Sequence, residues 1–267
     1  MRERPTNQAA GLLELAGPQG PRLMAMVSHG DEQSELLLLW RLCSSLVNFG
    51  YAVTVLDATT RESESNPGLE QLLEYAYWRG TEHLNAPEWT VIPAAMGLQT
   101  LAEMPERKEQ SLQHLGRLFQ HEGAIILYGK ADWLVPLLSD SGLKPLLAVA
   151  PIKTSLLTSY QALKVLLLKG RLEPTIVNMI QERNAALPAK ARTVAASLTD
   201  CARNFLGYEV NALNIATPSD DDRPCVDIQQ LALRMIESAV PLESDVLTTL
   251  SSASAPAPRM DIFSRTH

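Results

Sequence analysis

Long apolar runs are missing from this 267-residue sequence. No stretch approaches the ~18 residues a membrane-spanning helix needs, and MRERPTNQ is not followed by the apolar core of a secretory signal. Cysteine is scarce: Cys43, Cys201 and Cys225 lie far apart, without CxxC or metal-ligand spacing. That argues against a disulfide framework and fits a reducing cytoplasm. Clusters of Lys and Arg are absent too, and the net charge is −7. A nucleic-acid partner would call for a basic stripe, so none is expected. The five histidines (His29, His83, His114, His121, His267) are scattered, and no metal site is expected from them.

What is present is a 46% apolar chain, enough for one α/β domain. Short β-rich runs alternate with helical patterns. Strands are expected at Arg22–Ser28, Tyr51–Asp57, Glu88–Pro93, Ala124–Tyr128, Leu146–Ala150, Thr175–Met179 and Tyr208–Leu213. Helices are expected at Leu36–Phe49, Pro67–Trp78, Lys108–His121, Ser155–Lys169, Ala189–Phe205 and Asp227–Ala239. Near-continuous apolar strands between helices predict a mostly parallel central sheet covered on both faces, a three-layer α/β/α architecture. Trp40, Trp78, Trp89 and Trp133 each fall in or beside such a pattern and read as core or core-edge residues.

The ends differ from this body. Residues 1–20 carry a short helical pattern, Gln8–Leu15, followed by the breaker-rich AGPQGP, and read as a partner-binding peptide on a hinge. Residues 21–241 form the α/β domain, and residues 242–267, with SSASAPAP, read as a disordered tail. That tail holds only Arg259 and Arg265 as cations, too few for stable attachment to a membrane surface.

In a parallel α/β protein the first strand–loop–helix turn is the natural phosphate site, because loop amides and the helix N-terminus point at the ligand there. Here Ser28 begins that loop, Gly50 ends the helix and Asp57 closes the second strand. This frame resembles the MinD/ParA family of deviant Walker A ATPases, which runs from a strand-end Ser through GKGGVGKT to a Gly and a strand-closing Asp. The resemblance extends over roughly residues 22–215. AIILYGKADWL resembles the Walker B segment, with Tyr128 in place of its Asp. Ala150–Leu166 resembles the family's TTPEPTSLTDAYALIKLL. TIVNMI resembles its VVNR strand, with Asn178 kept. The implied fold is that of a MinD/ParA-like P-loop NTPase.

The loop itself departs from the family. Its positions read His29, Gly30, Asp31, Glu32, Gln33, Ser34, Glu35 and Leu36. By the resemblance, Gly30 replaces the signature lysine, Glu35 the phosphate-gripping lysine, and Leu36 the Thr that holds Mg²⁺. Thr59 replaces the second Asp of the second strand, while Asp57 is retained. A carboxylate ~4 Å from a phosphate costs about 4 kcal/mol at an effective dielectric of ~20. A few such terms cancel the ~8 kcal/mol of a micromolar complex. The expectation is a pseudo-ATPase with no catalytic residue, no cofactor and no metal. Acids in a first helical turn are ordinary, since they complement its dipole. A metal or acid/base role for Asp31, Glu32 and Glu35, and hence an active ATPase with a rearranged site, is the rival.

Ahead of the domain, Asn7, Gln8, Ala9, Ala10, Gly11, Leu12 and Leu13 resemble the DQAxxLR-type motif of the flagellar-number regulators FlhG/FleN, matching at Gln8, Ala9 and Leu12. Asn7 stands for the Asp and Leu13 for the Arg. In that subfamily the peptide docks on an SRP-type GTPase (FlhF-like), and its Gln assists hydrolysis by orienting water. The resemblance thus implies a cytoplasmic regulator or scaffold in flagellar number or placement. It would reach a membrane-bound machine only through a partner. MinD-like proteins of cellulose secretion (BcsQ-like) or of polar and pilus positioning are the alternative. A nucleotide-independent homodimer is compatible with either.

Overall fold

The computed structural model describes residues 20–75, 89–103, 108–181, 188–217 and 225–242. The N-terminal motif residues Asn7, Gln8, Ala9 and Leu12, the tail from residue 243, Trp78, and the acidic run 220–222 lie outside them.

Among the described residues seven parallel strands form the sheet: β1 (Arg22–Ser28), β2 (Val53–Asp57), β3 (Trp89–Pro93), β4 (Ala124–Lys130), β5 (Leu146–Val149), β6 (Thr175–Gln181) and β7 (Asn211–Thr217). Their order is β3-β2-β4-β1-β5-β6-β7. A short strand, β8 (Val240–Pro241), pairs antiparallel with the start of β1. The central strands are buried on both faces, as their unbroken apolar runs require. Along β1 the side chains alternate between two cores. Leu23, Ala25 and Val27 join one, and Met24 and Met26 join the other.

The second of those cores lies under two helices, α1 (Glu32–Asn48) and α8 (Val226–Ser238). The first lies under α2 (Leu69–Tyr75), α3 (Ala95–Glu103), α4 (Lys108–Leu118), α5 (Ala131–Leu138), α6 (Lys153–Val165) and α7 (Pro188–Cys201). The sheet with helices on each face is the expected three-layer arrangement. No helix among the described residues is long and apolar enough to cross a membrane. Cys43, Cys201 and Cys225 are free, and burial pushes the Cys43 thiol up to about 12.

Several expectations need correction. The first helix begins at Glu32, not Leu36, because the acids of its first turn are helical rather than part of an open loop. Trp40 is 43% exposed, on the outer face of that helix. The last parallel strand is shifted, running Asn211–Thr217 rather than 208–213, because a left-handed turn at Gly207 (φ +75°) follows the π-helical end of α7. Two helices were not expected at all. α5 follows β4 without a loop and carries Pro136, a residue that reads as a breaker. α3 is started by a side chain distant in sequence. The buried carboxylate of Glu62 accepts the N–H groups of Met96 at 2.7 Å and Gly97 at 2.9 Å. Those amides have no partner within the helix.

Candidate functional site

At the end of β1 the chain turns through His29, Gly30 and Asp31 into α1. Gly30 has φ +95°, a conformation that favours glycine and turns the amides on either side toward one point. That point is occupied by Glu35. From one turn into α1 its side chain folds back. Oε1 accepts the N–H of His29 at 2.9 Å and the N–H of Asp31 at 3.0 Å, while Oε2 accepts the phenol of Tyr128 at 2.6 Å. Glu35 is fully buried. Burying an unpaired carboxylate would be costly; three donors and the N-terminal end of the helix offset that cost. Tyr128 is a good donor there. Burial, then its bond to Glu35, push the phenol well above its ordinary pKa, so it keeps its proton.

The remaining loop residues are tied to the neighbouring elements. The His29 ring is buried, with Nε2 2.7 Å from the carbonyl of Ala148 and Nδ1 2.8 Å from the Thr158 hydroxyl. A carbonyl only accepts, so Nε2 carries the proton in this network. The Ser155 hydroxyl donates to Asp31 at 2.6 Å and accepts the N–H of Ala150 at 3.0 Å. The loop is thereby stitched to β5 and to the first turns of α6. Ser34 is half-buried, Glu32 and Gln33 are exposed, and Leu36 is 50% exposed. Of the loop acids, Glu35 is inside, Asp31 is bonded to Ser155, and Glu32 projects into solvent.

Beside the loop, over the C-terminal ends of β1, β2 and β4, opens a cavity of about 860 Å³. Its walls include His29, Gly30, Glu32, Leu36, Asp57, Thr60, Tyr128 and Lys130. Asp57 closes β2 and accepts the Thr59 amide at 2.8 Å and hydroxyl at 2.6 Å through Oδ1, and the Thr60 hydroxyl at 2.6 Å through Oδ2. Lys130 is exposed at the rim. Asp132 pairs with Lys169 at 3.0 Å, both about two-thirds exposed, a contact of little energetic weight. Asn178 is not on these walls. It is fully buried in β6 and donates to Asn214 of β7 at 2.8 Å. The fold thus brings residues 29–36, Asp57 and Tyr128 together and leaves Asn178 apart.

Sequence reasoning missed Ser155, Thr158 and Lys130. Ser155 and Thr158 fall inside Ala150–Leu166, a segment already singled out, but their bonds to the loop span 124 and 129 residues and have no local signature. Chemically, the site is a nest of backbone amides whose donors are engaged by the Glu35 carboxylate from the first turn of α1.

No protein-family model and no curated protein sequence matches the chain. Solved structures do. McdA from Cyanothece, in complex with ATP, is 11% identical over 82% of this chain and 96% of its own, with a TM-score of 0.56. Cobyrinic acid a,c-diamide synthase from Mycobacterium smegmatis, with bound ADP and magnesium, is 12% identical over 84% of this chain and 99% of its own, with a TM-score of 0.53. The MinC:MinD cell division complex of Aquifex aeolicus matches at 12% identity over 89% and 98%, with a TM-score of 0.48. At these identities the likeness is one of fold. The chain has the α/β fold of the MinD/ParA-type P-loop NTPases, with a mostly parallel sheet between two helical layers.

Proposed function

We propose that this protein is a non-catalytic, MinD-like regulator or scaffold that neither binds nor hydrolyses ATP. The observation that carries the reading is the seat of Glu35, whose carboxylate holds the amides of His29 and Asp31. Those are the donors an incoming phosphate would need. Exclusion then works by occupancy more than by surface repulsion. A triphosphate would have to evict a buried carboxylate from three hydrogen bonds and leave it as a like charge beside the phosphates. No lysine of the loop offers compensation, and Leu36 supplies no hydroxyl for Mg²⁺. Titration calorimetry of the full chain with Mg-ATP and Mg-ADP is expected to show no saturable heat. A micromolar complex with either nucleotide overturns the proposal.

What remains is recognition of a protein. The N-terminal Gln8–Leu12 segment supports an SRP-type, FlhF-like GTPase as the partner, with Gln8 as the activating residue and Leu12 as an apolar anchor. GTP turnover by that enzyme is expected to rise with peptide 1–20 and to fall back with Gln8→Ala. If turnover is unmoved by the peptide, flagellar placement is the wrong setting for this protein.

A further inference from the structure

Among the described residues the two ends of the sheet are unlike each other. The edge strand β3 ends in Pro93, which supplies no amide to an incoming strand. The edge strand β7 reads NALNIAT: seven residues with no charge, no proline and no glycine, all in register with Thr175–Gln181 of β6. Natural sheets guard exposed edges with charge, proline or bulges, and β7 has none of these. One contact to a β7 carbonyl comes from a residue outside the sheet. The Cys225 thiol lies 3.3 Å from the Ala216 carbonyl, a weak bond that a backbone N–H would displace.

The sequence of β7 also reads nearly the same in both directions about Asn214. An antiparallel copy centred there pairs Asn214 with Asn214, Ala212 with Ala216, Leu213 with Ile215 and Asn211 with Thr217. Every position meets a residue of similar size and polarity, and no like charges are opposed. Such self-complementarity is what a two-fold interface requires, because each residue must suit its own mirror position. Exposed apolar side chains flank β7 in the chain: Phe205, 75% exposed, in the π-helical turn after α7, and Val226 and Leu233 on α8.

We infer that β7 pairs antiparallel with β7 of a second copy of this chain, joining two sheets into one across a dyad at Asn214. β7 lies three strands from β1 in the sheet, so the loop after β1 is not part of this interface.

Sedimentation velocity or light scattering of the full chain over a range of concentrations tests the inference through two double variants. Ala212 and Ala216 are both exposed, and both variants place large side chains at the same two positions. In Ala212→Lys/Ala216→Lys each lysine faces a lysine, and the dimer is expected to weaken by at least about tenfold. In Ala212→Glu/Ala216→Lys each glutamate faces a lysine, and dimerisation is expected to be kept near the wild-type level and to weaken with added salt. A wild-type chain that stays monomeric at the highest concentration reached overturns the inference. So does a Lys/Lys variant that dimerises like wild type, or a Glu/Lys variant that dissociates as readily as Lys/Lys.

Discussion

The phenol of Tyr128 donates to the carboxylate of Glu35 at 2.6 Å, joining the middle of the chain to the first helix across 93 residues. By resemblance to the MinD/ParA pattern, these are the places of the Walker B acid and the phosphate-gripping lysine. At those places this chain has a phenol donor and a carboxylate acceptor. The two suit each other: the carboxylate takes the phenol as a third donor beside the amides of His29 and Asp31.

That coupling is measurable in a double-mutant cycle. Tyr128→Phe removes one donor to a buried carboxylate, and Glu35→Gln removes the charge it serves. The single changes are expected to destabilise by about 1–3 kcal/mol each. The double change should cost less than their sum by about 1–2 kcal/mol. Urea unfolding of the four proteins checks this; strict additivity would mean the bond carries no energy.

Glu35→Ala removes the internal anion and leaves two loop amides and the phenol facing a hole. A loss of about 3 kcal/mol is expected. Because the cradle is built from backbone, it should still accept a small anion. Added formate or acetate is expected to raise the melting temperature of Glu35→Ala more than that of wild type, with chloride at equal ionic strength as the control. An equal response of both proteins would show that the amides are not arranged as described.

The Glu62 side chain starts α3 by accepting the amides of Met96 and Gly97. Glu62→Ala is expected to cost about 1–2 kcal/mol, the range for loss of an N-terminal cap. Glu62→Gln, which keeps one acceptor oxygen, should cost less. Chemical denaturation gives both values, and hydrogen exchange at Met96 and Gly97 localises the effect.

Burial raises the pKa of the half-buried Glu122, against smaller opposing contributions from the Thr54 hydroxyl and from His121. The folded state therefore holds this proton more tightly than the unfolded state. Protonation favours folding, and the advantage is lost as pH rises through the carboxylate range. Glu122→Gln, a fixed neutral mimic, is expected to be more stable than wild type at pH 7 and to lose that advantage toward pH 4. Melting temperatures of the pair across that interval check the sign.

The layered fold was legible because its signals are local. β1 was placed at its observed ends, since an apolar run between a Pro-Gly hinge and a polar loop has few readings. α3 was not, because AMGLQTLAE is short, contains Gly97, and owes its start to a carboxylate 34 residues away. At the site, the frame pointed to residues 29–36, but not to where their side chains are held. Asp31, Glu32 and Glu35 read as like charges that would repel a phosphate. In the structure Glu35 is the buried occupant of an anion cradle and Asp31 is held by Ser155.

Periodicity, breakers and the spacing from Ser28 to Asp57 decided by themselves that this chain builds alternating strands and helices around a phosphate-type turn. They also decided that the turn has no lysine, whereas the structure moved the last parallel strand off Glu209 and left β7 without charge. Where each loop carboxylate points was decided only when β4 and β5 came to flank β1, bringing Tyr128 and Ala148 beside the loop. A side chain's propensity is set by its neighbours in sequence, but the donors that stabilise a buried charge are supplied by strand order. No window of local sequence contains that information.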